Sequence, residues 1–115
     1  MATKRQVIAF NKDFREYIEG YGATATEGQG HYQWKLETPL GTVLFSVPEE
    51  KEGDLAVYAR YEDVPRAVKV LKQAVNSPSG KWNWLAYSWD TPATLMARVQ
   101  AALAEVMNIP TEVSV

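Results

Sequence analysis

The chain contains no cysteine and only one histidine, His31. The first absence excludes disulfides, thiolate zinc sites and cysteine nucleophiles, and the second excludes a metal site built on a histidine pair. No apolar run approaches the roughly 18 residues that a membrane span needs. The start Met-Ala-Thr-Lys-Arg is positive but no apolar stretch follows it, so no signal peptide is expected and a cytoplasmic protein is the default. A dominant charge sign is missing as well. Twelve basic against fourteen acidic residues leave a net charge of −2, which is neither the basic balance of a typical nucleic-acid binder nor acidic enough for a DNA mimic.

What is present is ordinary globular material. Hydrophobic residues make up 46% and charged ones 23% of 115 residues, enough for one α+β domain over 1–115 with a loose tail at 110–115. Val7, Phe10, Phe14, Tyr17, Ile18 and Tyr21 recur at helical steps, so residues 3–20 read as an amphipathic helix. Thr3 and Gln6 fit a capping box, and Gly20 and Gly22 supply the stop through the left-handed cap that glycine tolerates. Residues 22–30 lack any apolar period and read as a connection. Alternation then predicts strands at 31–37, 42–47 and 55–61, the first two joined by a tight Thr38-Pro39-Leu40-Gly41 turn.

A helix over 63–76 follows, with Asp63 as cap and Pro65 in its first turn. Residues 81–89 form an aromatic-dense fourth strand, and Thr91-Pro92 opens a last helix. The order is α-β-β-β-α-β-α. The expected architecture is a two-layer sandwich, a mostly antiparallel sheet of about four strands with helices on one face.

No catalytic constellation stands out, and the chain reads as a non-enzyme without cofactor or metal. Glu62 and Asp63 are adjacent, but Asp63 already has a structural task as a cap. His31 lacks a partner serine or second histidine. Gly28-Gln29-Gly30 leads into a strand, not into the helix N-terminus that a phosphate site uses.

Two surfaces compete for a binding role. One joins the acidic loop Glu49, Glu50, Glu52 and Asp54 to whichever of Tyr58, Tyr87 and Trp89 faces solvent, a combination suited to a protein partner. The other is a basic-aromatic stretch, Arg60, Arg66, Lys69, Lys72, Lys81, Trp82 and Trp84, suited to nucleic acid. Each has a plainer reading, and the plainer one is favoured: a solvated hairpin tip for the acidic loop, a solvated helix face for the basic residues, and a central strand with core aromatics for 81–89. On strict alternation Trp82, Trp84 and Ala86 share one face of that strand, and Leu85, Tyr87 and Trp89 the other.

The stretch Val57-Tyr58-Ala59-Arg60-Tyr61-Glu62-Asp63-Val64-Pro65-Arg66-Ala67, with Asn76-Ser77-Pro78-Ser79-Gly80-Lys81-Trp82-Asn83-Trp84, resembles small proteins carried by bacterial phages and plasmids. Those share an Arg-aromatic-Glu/Asp-Asp strand end and an Asn-Pro-x-Ser-Gly-Lys-Trp-Asn turn. Here Ser77 intervenes before Pro78, and Trp84 stands where Phe or His is expected. The resemblance covers about thirty residues and the trailing helix, and implies a mobile element in a bacterial host. It suggests an inhibitor that binds a host protein complex, an anti-CRISPR or other anti-defence protein. A nucleic-acid-binding accessory protein is the alternative.

Overall fold

A computed structural model describes residues 2–27, 32–62, 66–67, 83–88 and 91–108, the segment 83–88 by its backbone alone. The fold is α+β. Helix α1 (Lys4–Glu19) leads into strands β1 (Thr24–Ala25), β2 (Gln33–Thr38), β3 (Gly41–Ser46), β4 (Leu55–Tyr61) and β5 (Asn83–Ser88), and helix α2 (Pro92–Met107) follows. Four strands of six or seven residues and the two-residue β1 form one sheet in the order β1-β2-β3-β4-β5, antiparallel throughout.

Local chemistry sets the helix ends. Thr3 and Gln6 close the expected capping box, the Thr3 N–H donating to Gln6 Oε1 at 2.9 Å and the Gln6 N–H to Thr3 Oγ1 at 3.2 Å. Thr91 caps α2, its hydroxyl accepting the Thr94 N–H at 3.1 Å, with Pro92 in the first turn. At the end of α1 the expectation needs correcting. Gly20 stays right-handed (φ −62°), and the left-handed residue is Gly22 (φ +94°). Tyr21 leaves the apolar stripe as well. It is exposed, and its hydroxyl lies 3.3 Å from that of Tyr17.

The core lies between the helices and one sheet face. Trp34, Leu36, Val43, Phe45, Leu55, Val57, Ala59 and Tyr61 alternate inward along β2, β3 and β4, and all are buried. Phe14 of α1 packs edge-on against Trp34 (centroids 5.6 Å apart) and Phe45 (6.4 Å). Helix α2 buries Leu95, Val99, Leu103 and Val106 and packs on β4, β5 and α1. Each such side chain stabilises the fold by about 1.5–3 kcal/mol.

The Thr38–Gly41 hairpin forms as expected. Thr38 Oγ1 accepts the Leu40 N–H at 3.0 Å and donates to the Gly41 carbonyl at 2.9 Å, while Gly41 takes φ +89°. Three features depart from the sequence reading. Within 22–30, Thr24 and Ala25 pair with Lys35 and Trp34, so part of the aperiodic connection becomes an edge strand. Strand β5 is not central: it lies at the other edge of the described sheet, beside β4. Strict alternation also fails across β5. A bulge puts Trp84 opposite Tyr58 and Tyr87 opposite Ala56, with Ala86 opposite Val57, so Trp84 and Tyr87 fall in register with alternate β4 residues of one face. Of the helix expected over 63–76, Arg66 and Ala67 are described and helical; the rest lies outside the described residues, as do the Ser79-Gly80-Lys81 turn and the 110–115 tail.

Candidate functional site

The acidic loop joins β3 to β4 and lies against the start of α1. Asn11 is the one buried polar residue among those described, and its Nδ2 donates to the Pro48 carbonyl at 2.9 Å. At the loop's far end Ala2 and Gly53 exchange backbone hydrogen bonds of 2.8 and 3.1 Å. The segment between these ties carries Glu49, Glu50 and Glu52, all exposed, with exposed Asp54 just beyond. Lys51 is the single cation in the loop and sits 3.7 Å from Glu49 with both side chains solvated, a pair that contributes little to stability. The loop is thus a surface of net negative charge anchored at both ends, not a free hairpin tip. Ile8, 39% exposed, lies one turn before Asn11 on α1.

Sequence reasoning missed Asn11 and Ile8. Asn11 carries a legible signal, because it interrupts the buried series Val7, Phe10, Phe14 and Ile18 with an amide that needs a partner.

Tyr58 does not join the acidic loop in one cluster. It is half-buried on the outward face of β4, two residues before exposed Arg60, and shares a cross-strand row with Gln33, Ser46 and Trp84. The next row holds Lys35, Leu44 and Arg60, with Thr24 at its end. The structure therefore brings together members of both surfaces expected from sequence: Tyr58 from one, Arg60 and the position of Trp84 from the other. Arg66 is half-buried. Lys69, Lys72, Lys81, Trp82, Trp89, His31 and Asp63 lie outside the described residues, and Tyr87 and Trp84 are placed by backbone register alone.

At the sheet end opposite the acidic loop, Thr42 is held by two carboxylates. Its N–H donates to Glu62 Oε2 at 3.1 Å, and its hydroxyl lies 2.8 and 2.9 Å from the two oxygens of Glu37. Beside it opens a cleft of about 400 Å³ lined by Thr42, Leu44, Arg60, Tyr61 and Glu62. Tyr61 is buried and its hydroxyl has no hydrogen-bond partner among the described residues; desolvation, reinforced by the charge of Glu105, raises its pKa well above the ordinary tyrosine value. A second cleft, about 490 Å³, runs between α1 and α2 over Phe10, Met96 and Ala97. Among the described residues no three histidine or acidic side chains are grouped to hold a metal ion, and no helix is long and apolar enough to cross a membrane.

No family, curated protein or solved structure matches this chain.

Proposed function

We propose that this chain acts by binding, not catalysis, and that the acidic 48–54 loop docks on a basic surface of a bacterial host protein complex. The phage and plasmid resemblance suggests a CRISPR effector as that complex and inhibition as the outcome. The observation that carries the reading is the double anchor of the loop, Asn11 to Pro48 and Ala2 to Gly53. A loop already held in place loses less conformational freedom on docking, so more of its interaction energy appears as affinity. Its four carboxylates against one lysine supply long-range attraction toward a basic groove, of the kind that speeds encounter. Charge alone gives weak complexes, and exposed Ile8, one turn before Asn11 on α1, offers an apolar contact that a partner can bury.

The test is capture on the immobilised protein from lysates of bacteria with and without CRISPR effector complexes, using wild type and a folded E49K/E50K/E52K variant. The proposal expects the effector to be retained by wild type and lost by the variant. Equal retention by both, or none by wild type, contradicts it.

A further inference from the structure

We propose that the outward face of the sheet is a second binding surface, for single-stranded nucleic acid, centred on Lys35, Tyr58 and Arg60. Helices α1 and α2 cover the opposite face. On this one Ala56 is buried toward the acidic-loop end, Leu44, Ser46 and Tyr58 are half-buried, and Lys35 and Arg60 are exposed. Lys35 and Arg60 are both exposed, face outward from β2 and β4, and flank Leu44 in one cross-strand row. Two strand spacings separate them, about 10 Å. Neither has a carboxylate partner among the described residues. Two unpaired cations at that spacing on a flat face suit two phosphates of an extended chain.

The neighbouring row supplies what bases require. Tyr58 offers a ring for stacking, and Gln33 and Ser46 beside it offer an amide and a hydroxyl. The cleft next to Arg60 has the volume of a small-ligand site, with Leu44 as an apolar wall and Glu62 as an acceptor for base amino groups. Glu37 and Glu62 close that end of the face with negative charge, already engaged by Thr42. A phosphate is repelled there and drawn toward Arg60 and Lys35, the middle row of the face, with Tyr58 on one side of it and Glu62 on the other. A duplex keeps its bases stacked inside and cannot use Tyr58 in this way. The surface is distinct from the acidic loop, and each can fail without the other.

Fluorescence anisotropy with labelled 12-nucleotide single-stranded DNA, single-stranded RNA and the matching DNA duplex tests the proposal. The expected result is binding of single strands over duplex. With two phosphate contacts, raising salt from 50 to 200 mM should weaken binding about sevenfold, a log–log slope of about −1.4. K35Q/R60Q should lower affinity about tenfold or more and flatten that slope. Y58A should cost a similar factor and Y58F should restore it, provided circular dichroism shows all variants folded. Absence of binding at 50 mM salt, equal binding of duplex, or unchanged binding by folded K35Q/R60Q overturns the proposal.

Discussion

Glu62 accepts the backbone N–H of Thr42 at 3.1 Å, and the same carboxylate oxygen lies about 2.5 Å from where a Cβ on Gly41 would stand. A side chain on residue 41 would push the exposed Glu62 carboxylate from this position. The hairpin also requires φ +89° there, a region that side chains disfavour.

Gly41→Ala should therefore destabilise the protein by about 1–3 kcal/mol. Urea unfolding of Gly41→Ala alone and in a Glu62→Ala background separates the two causes. The loss should shrink without Glu62 and not vanish, because the backbone strain remains. An unchanged midpoint for Gly41→Ala would contradict the hairpin geometry.

Asn11→Ala should cost about 1–2 kcal/mol through the lost bond to Pro48. Its more telling effect is local. Amide hydrogen exchange at residues 49–53 should speed up, with the sheet amides of β2 and β3 little changed. Uniform acceleration would show that Asn11 supports the whole core and not the loop.

Two tyrosines make the fold sensitive to alkali. Partial burial, reinforced by a hydrogen bond to Tyr21, pushes Tyr17 up to about 12, and burial raises Tyr61 further. The unfolded chain gives up these protons near pH 10, before the folded chain does. Stability from these groups is then fully present below pH 10 and falls as the pH climbs through 12. Tyr61→Phe should leave stability at pH 7 within about 1 kcal/mol, because the lost hydroxyl has no partner among the described residues, and should make the alkaline decline shallower. Urea melts at pH 8, 10 and 11 compare the two. A large loss at pH 8 would mean that the hydroxyl is bonded after all.

Local signals carried most of the fold. The Thr3–Gln6 box, the Thr91-Pro92 start and the Thr38–Gly41 turn each lie within a few residues, and each forms as its residue types require. What the sequence hid is long-range. Asn11 and Pro48 are 37 positions apart, and Thr42 and Glu62 are 20. Nothing in either segment alone names the other. The edge position of β5 depends on strand order, and its register depends on one bulge, which shifts alternation without changing composition. The acidic loop was legible as a run of carboxylates. Its anchoring was not, because that depends on where α1 begins relative to the sheet.

If the anchored acidic loop steers the chain onto a basic partner, as proposed, association must depend on its charge. The most direct measurement is the association rate with a purified CRISPR effector complex, read by surface plasmon resonance at ionic strengths from low to high. Wild type should associate quickly at low salt and more slowly as salt rises, with E49K/E50K/E52K slow throughout. Association that is independent of salt and identical for the folded variant would contradict it.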